Sequence, residues 1–322
     1  MTIVKEYLEL TDKWKKEYGE KSLVLMQVGS FFEVYGLLDD NGNIYGSNIL
    51  DFASINDMHV SKKNVCVGNN KVVMAGFGLP QLEKYVKKLQ ENGYVIIVYT
   101  QDTQAKNTTR SLNTIFSPGT YFSNDTSNLS NNIMCVWIHD NVDINKIKKL
   151  TFGITNIDIF TGKVSIFEYT NDFLHNPTTY DELERYLSIY KPIECILIYN
   201  IDTSYINDII NFVNLDSVKI LKLDLKEDNE MVKCCKNSEK QKYQEELLNR
   251  FYSNTNIEIL YNNLQNYCIS VQSLVFLLDY IFKHNPNLIN KISEPIFENY
   301  SNRLILANHT LQQLNIIPDN RY

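Results

Sequence analysis

The sequence contains no apolar run approaching the roughly 18 residues that a membrane-spanning helix needs, which excludes a helical membrane anchor and leads us to expect a soluble chain. Its first residues, Met1-Thr2-Ile3-Val4-Lys5-Glu6, lack the basic start and apolar stretch of a secretory signal, so an intracellular location is expected. Cysteine is sparse and scattered, at Cys66, Cys135, Cys195, Cys234, Cys235 and Cys268. No two form a Cys-x-x-Cys pair. None of the histidines (His59, His139, His175, His284 and His309) stands at metal-ligand spacing. This favours reduced thiols over disulfides or a zinc site. There is no long block of one charge sign, no repeat and no low-complexity tract, which argues against a disordered or polybasic chain. A Gly-x-x-x-x-Gly-Lys-Ser/Thr phosphate loop is also missing, so these residues carry no nucleotide-hydrolysing site of that kind.

What is present suffices for ordinary cores. The chain has 322 residues, 44% apolar and 21% charged, a length for two or three domains. The net charge of -7 disfavours a simple polyanion binder, but the acidity is uneven. Residues 1 to 120 hold 13 Lys/Arg and 13 Asp/Glu, leaving 18 basic against 25 acidic residues in the remainder. A near-neutral first third can still hold DNA where affinity comes from wedging and deformation as well as from phosphate neutralisation.

The pattern predicts an amphipathic helix over residues 1 to 15, from the spacing of Tyr7, Leu8, Leu10 and Trp14. Buried strands are predicted over Ser22 to Val28 and Phe31 to Tyr35, separated by Gly29. Asp39-Asp40-Asn41-Gly42 is a turn signal for a hairpin between Tyr35 and Tyr45. A helix over Leu82 to Leu89 follows Pro80, and a strand over Tyr94 to Tyr99 follows Asn92-Gly93. Together these make an α/β unit. The polar stretch 101 to 130, with Ser117-Pro118-Gly119, reads as a linker. A second α/β pattern follows: strands at Ile133 to His139, Leu150 to Phe160 and Lys163 to Tyr169, a helix at Tyr180 to Ser188, and a strand at Glu194 to Tyr199. From about 225 the pattern is helical only, at Lys240 to Tyr252, Asn256 to Leu264, Ile269 to Phe282 and Arg303 to Leu314, with no closing strand.

One stretch raises a chemical question. In Val28-Gly29-Ser30-Phe31-Phe32-Glu33-Val34-Tyr35, strand alternation puts Phe31 and Glu33 on one side and Phe32 and Val34 on the other. If Phe32 and Val34 take the core, Phe31 and Glu33 share an exposed face. A ring there stacks on a base or enters a base step, and a carboxyl group beside it bonds a base edge. A carboxylate facing DNA is repelled by phosphates, so it is tolerable only close to bases or when protonated. The plain alternative is Phe31 in the core and Glu33 a solvated charge.

At these residues the chain resembles a family. Gly29-Ser30-Phe31-Phe32-Glu33 is similar to the Gly-Asp-Phe-Tyr-Glu signature of the MutS family of DNA mismatch-recognition proteins, whose Phe-x-Glu pair contacts the mispaired base. Met74-Ala75-Gly76-Phe77 and Leu82-Glu83-Lys84-Tyr85 resemble the family's Met-Ala-Gly segment and its Leu-Glu-Lys-Tyr helix. Thr100-Gln101 stands where the family usually has Glu-Gln. Arg110 and Thr114-Ile115-Phe116-Ser117-Pro118-Gly119-Thr120 resemble the segment leaving the mismatch domain. Phe152-Gly153-Ile154 through Thr161-Gly162 is similar to the opening hairpin of the ribonuclease H-like connector. Ser273 to Tyr280 and Leu306 to Ile316, with Thr310, Leu311 and Leu314, resemble the start of the helical lever. Three departures stand out: Ser30 for the usual Asp, Gly78-Leu79-Pro80 for Pro-Tyr-His, and Leu37 to Gly46 as an insertion.

The resemblance implies a mixed-sheet α/β mismatch-binding domain over residues 1–120, a ribonuclease H-like α/β connector over 121–228, and an incomplete α-helical lever over 229–322. It implies that Phe31 wedges into the minor groove of mismatched or looped double-stranded DNA while Glu33 bonds the base. Lys62, Lys63 and Lys71 are the candidate phosphate contacts, or else ordinary solvated lysines. No catalytic residue, metal ligand or cofactor is expected in this chain; ATP and Mg²⁺ belong to the ATPase of a longer parent, which is expected to be a homodimer and to reach repair proteins through the connector.

Two rival functions stand beside this one. A ribonuclease H-like domain can be a metal-dependent nuclease, and Asp158 is the candidate first acid; such chemistry needs several convergent carboxylates, and Asp158 has no clear companions, Glu168 being in the next strand and Glu194 at a strand start. A protein-interaction module that has lost mismatch binding is the other.

Overall fold

In a computed structural model that describes residues 3–101, 109–120, 130–174, 179–215, 218–253 and 257–298, the chain divides into two units, Met1–Tyr121 and Phe122–Tyr322. The expected helix at Arg303 to Leu314 and the Leu306 to Ile316 resemblance lie outside the described residues.

The first unit opens with α1 (Ile3–Tyr18), whose buried positions Val4, Tyr7, Thr11, Trp14 and Tyr18 recur at alternating steps of three and four. It is followed by β1 (Ser22–Val28), β2 (Phe31–Leu38), β3 (Ile44–Tyr45), α2 (Ile49–Ile55), β4 (Ser61–Val67), β5 (Asn70–Gly78), α3 (Leu82–Glu91), β6 (Val95–Gln101) and β7 (Arg110–Phe116). The sheet runs β4-β5-β2-β1-β6-β7, with β3 paired to β2. Only the β1–β6 pair is parallel, so the sheet is mixed.

Both faces of this sheet are covered, which is why β1 and β6 are continuous apolar runs rather than alternating ones. On one face α1 lies against the strands: Tyr7 meets Tyr35 edge-on at 5.2 Å and donates to the Val24 carbonyl at 3.1 Å, and Trp14 Nε1 donates to Tyr99 Oη at 3.1 Å. On the other face Phe77 packs against Phe52 of α2 and Tyr85 of α3, at 6.2 and 4.6 Å between ring centroids. The β2–β3 hairpin closes as expected, with Asp39 Oδ1 accepting from Asn43 N at 2.7 Å and Gly42 at φ +88°.

The polar stretch expected to be a linker contains β7, and its Ser117-Pro118-Gly119 turn is held to the first unit: the Ser117 carbonyl accepts from the Gln90 amide at 2.8 Å. A linker reading followed from polarity; an edge strand needs only one covered face, and β7 buries little beyond Ile115.

The second unit comprises β8 (Asn132–Val142), β9 (Lys148–Asp158), β10 (Val164–Asp172), α4 (Asp181–Tyr190), β11 (Glu194–Tyr199), α5 (Thr203–Phe212), β12 (Lys219–Asp224), α6 (Glu230–Ser238), α7 (Gln241–Phe251), α8 (Ile257–Leu264), α9 (Cys268–His284) and β13 (Pro295–Phe297). Its sheet runs β12-β11-β8-β9-β10-β13. The antiparallel meander β8-β9-β10 followed by parallel β11 and β12 on the β8 side is the strand order of a ribonuclease H-like domain. The expectation that the chain is helical only after 225 is corrected by β13, which pairs in parallel with β10. Three residues are too short to show a strand period.

Alternation sorts the two faces. Leu150, Phe152 and Ile154 point into a core shared with Leu183, Tyr186 and Leu187 of α4 and Ile206, Ile209 and Ile210 of α5. Thr155, on the other face, meets α9: its hydroxyl bonds Ser273 Oγ at 2.6 Å. Helix α9 is apolar all round because the sheet covers one side and α6 and α7 cover the other. The boundary expected between residues 228 and 229 thus falls inside this unit.

At the end of α9 the buried His284 has its Nδ1 2.6 Å from the Tyr280 carbonyl, and burial lowers its pKa to about 4. In the unfolded chain an imidazole binds its proton near pH 6.5, so acidification favours unfolding once pH falls below that value, and the loss is complete only below about 4. A drop from pH 7 to 4 is expected to cost about 3 kcal/mol through this group alone. Urea unfolding at pH 7 and pH 5 checks it: His284→Gln should flatten the pH dependence, and an unchanged slope would refute the assignment.

Candidate nucleic-acid interface

The register Val28↔Phe31 leaves Gly29 and Ser30 as a two-residue connection between β1 and β2. A hairpin this tight favours glycine at its first position, where φ is positive, and Gly29 has φ +60°. A Cβ built there touches nothing, so conformation rather than space demands the glycine. Gly29→Ala should cost about 1 kcal/mol by thermal melting, the penalty of a left-handed residue with a side chain; an unchanged melting temperature would refute the strain.

Side chains of β1, β6 and β7 and one backbone N–H after β5 pin this tip. Gln101 Oε1 accepts from Gly29 N at 3.2 Å, Gln101 N donates to Gln27 Oε1 at 3.0 Å, and the Gln27 amide donates to the Gly29 carbonyl at 3.1 Å. Arg110 Nε donates to the Gln27 carbonyl at 2.8 Å, and Leu79 N donates to that of Ser30 at 3.0 Å. Sequence reasoning placed Gln101 and Arg110 in matched segments and gave them no role; their role is to fix the turn that presents residue 31.

Phe31 is the first residue of β2 and is 53% exposed, while Phe32 and Val34 are buried. Its cross-strand partner is Gly78, and that of Glu33 is Gly76, so neither has a β5 side chain directly opposite it. Gly76 has no room for one: a Cβ would stand 2.6 Å from the Phe32 carbonyl.

Glu33 departs from expectation. It lies on the Phe31 face but is only 8% exposed, not solvated beside the ring. Its Oε2 accepts from Tyr35 Oη and from Lys63 Nζ, the latter at 2.9 Å. Burial, then the bond to Glu33 and its charge, push the Tyr35 phenol far above its ordinary pKa, so it remains a donor at neutral pH. Tyr35 was legible in principle, two places beyond Glu33 on one strand.

The three candidate lysines separate. Lys63 pairs with Val72, which pairs with Leu37, and this register puts it on the face of Phe31, Glu33 and Tyr35. Lys62 and Lys71 pair with Val73 and Leu38 and stand on the opposite face, both exposed. The structure therefore brings Lys63 alone to the Phe31 face, with its ammonium on a carboxylate.

The acids of the nuclease reading are each engaged locally. Asp158 closes the β9–β10 turn, with Oδ1 accepting from Asn131 N and Phe160 N at 3.0 and 3.1 Å and Oδ2 from Thr161 Oγ1 at 2.7 Å. Glu168 accepts from Ser270 N at the start of α9, at 2.7 Å, and burial raises its pKa. Glu194 accepts from Tyr280 Oη at 2.9 Å. Ser270 and Tyr280 are ten residues apart on one helix, a rise of about 15 Å, so Glu168 and Glu194 do not converge. Among the described residues no group of three His, Cys, Asp or Glu side chains is placed to hold a metal ion, and no helix is long and apolar enough to cross a membrane.

A parallel-and-antiparallel sheet flanked by helices, with an aromatic ring presented on a pinned hairpin tip, coincides with a family match: residues 3–125 match the model of MutS domain I, so over these residues the chain is similar to the MutS family. Among curated proteins it is similar to a mutS homolog of Acanthamoeba polyphaga mimivirus, described as a DNA mismatch repair protein, at 27% identity over 99% of this chain and 30% of that protein. It is also similar to the DNA mismatch repair protein MutS of Halothermothrix orenii, at 23% identity over 67% of this chain and 22% of that protein. The chain spans less than a third of the length of either relative. Among solved structures, the fowlpox virus Holliday junction resolvase covers 47% of this chain and 99% of its own at 17% identity and a TM-score of 0.25, too low to decide fold or activity.

Proposed function

We propose that this chain recognises mismatched or looped double-stranded DNA by inserting the Phe31 ring at a weakened base step, with Glu33 bonding the displaced base. The observation that carries the reading is the exposed ring at the pinned β1–β2 tip, on a strand whose alternate residues Phe32 and Val34 are buried. Unstacking a step costs on the order of a few kcal/mol and is cheapest at a mispair, so discrimination comes from deformability rather than from a base code. Lys62 and Lys71 stand exposed on the opposite sheet face, so any phosphate they meet lies away from the ring, and the alternative of ordinary solvated lysines stays open for them. The first unit is the mismatch domain, and the sheet of the second unit is the connector. The lever assignment for residues 229–322 rests on resemblance alone, since α6 and α9 pack with the connector sheet. In the whole protein ATP and Mg²⁺ serve an ATPase outside these residues, the active form is a homodimer, and the connector meets repair proteins.

The test is competition binding of a paired duplex against the same duplex with one mismatch, using the whole protein. Tighter binding of the mismatch is expected; equal affinities would sink the reading and favour an interaction module.

A further inference from the structure

We propose that Lys63 and Tyr35 are positioning residues for Glu33: they hold one carboxylate oxygen and leave the other for the displaced base. The inference rests on the wedge reading above and concerns how its acid is aimed.

Glu33 Oε2 takes both donors, the Tyr35 hydroxyl and the Lys63 ammonium. The ammonium also lies 3.3 Å from Tyr35 Oη and 4.8 Å from the centre of its ring, so the three side chains form one cluster. Oε1 has no hydrogen-bond partner among the described residues, and it is not sealed from solvent. The terminal torsion of a glutamate is broad, and a free carboxylate would spread its lone pairs over many directions. Two donors on one oxygen remove that freedom. Gly76 opposite Glu33 lets the two strands approach closely, since a Cβ there would stand 3.4 Å from Glu33 Cγ.

Charge points the same way. A bare carboxylate at a DNA surface is repelled by phosphates. Paired with Lys63 it brings no net charge, and what Oε1 offers is an acceptor for an N–H of the displaced base. The other ionisable groups around the cluster are Tyr7 of α1, which meets Tyr35 edge-on, and Arg110 of β7, whose charge acts on Tyr35. Neither bonds Glu33 in the described structure.

The rival role for Lys63 is a phosphate contact, and the two roles read out differently. A phosphate contact serves mismatched and paired duplexes alike, and its loss reduces the slope of log affinity against log salt by about one. A positioning residue changes the ratio of the two affinities. The experiment measures both quantities in the whole protein and in the variants Lys63→Met, Lys63→Arg, Tyr35→Phe, Phe31→Ala and Glu33→Gln, and in Glu33→Gln combined with Lys63→Met. We expect Lys63→Met to lower the mismatch-to-paired ratio roughly tenfold, a coupling of ordinary size for residues in contact, with the salt slope preserved. Lys63→Arg should restore most of the ratio, Tyr35→Phe should lower it less, and Lys63→Met should add nothing in the Glu33→Gln background. Equal weakening of both duplexes with a shallower salt slope would overturn the proposal and make Lys63 a phosphate contact. If Lys63→Met fails to fold, Tyr35→Phe decides: an unchanged ratio overturns the proposal. Retention of the ratio in Phe31→Ala would refute the wedge itself, whereas its loss there with no change in Lys63→Met would refute only the positioning role.

Discussion

Phe31→Ala is expected to abolish the preference for mismatched over paired duplex while leaving the fold intact. Stacking of a base on an aromatic side chain is worth about 1–3 kcal/mol per base, which corresponds to roughly a fivefold to hundredfold loss of affinity for the mismatch. The paired duplex should lose much less, because a stacked step offers the ring no entry. Stability should change by no more than about 0.5 kcal/mol, since the residue is more than half exposed and contributes little to the core. Competition binding and a thermal melt of the same protein sample separate the two effects. A variant that unfolds would mean that the ring supports the domain; one that keeps its preference would mean that another group reads the DNA.

The second large effect is on stability. A Cβ at Gly153 would stand 2.3 Å from the Ile269 carbonyl carbon, 2.4 Å from Ser270 N and 2.5 Å from the Ile269 carbonyl oxygen. These are backbone atoms at the start of α9, so no side chain can rotate away. Gly153→Val must lift that end of the helix, straining the Ser270 N bond to Glu168 and the Thr155–Ser273 pair. The expected cost is about 3 kcal/mol or more, at the upper end for overpacking. The two tryptophans, Trp14 and Trp137, lie in different units. In a Trp14→Phe background, Trp137 fluorescence during urea unfolding reports the second unit alone, and a midpoint within experimental scatter of the parent would show that α9 does not need this close approach.

Much of the fold was legible because it rests on local periodicity. The buried set of α1 follows helical spacing, β1 and β6 are apolar runs bounded by glycine turns, and the meander β8-β9-β10 carries its own turn signal at Thr161-Gly162. The elements that escaped include the exposed edge strands β4 and β7 and the three-residue β13, which show no such period, and also α2, β5, α5, β12 and α6, which were not read from the pattern. An edge strand buries too little to leave an apolar stripe.

At the candidate site the outward direction of Phe31 follows from alternation once Phe32 and Val34 are assigned to the core, so the sequence by itself determined which face the ring takes, and its motifs determined the family to which the resemblance led. The environment of Glu33 was decided only in three dimensions. Whether that carboxylate meets water, a phosphate-seeking lysine or a phenol depends on β4 pairing with β5 and β5 with β2, which together bring Lys63 to Glu33, 30 positions away in the chain. Strand period is a property of a few neighbouring residues, whereas register across a sheet is set by the packing of all its strands together. That is why the ring could be read from the chain and the hold on its acidic neighbour could not.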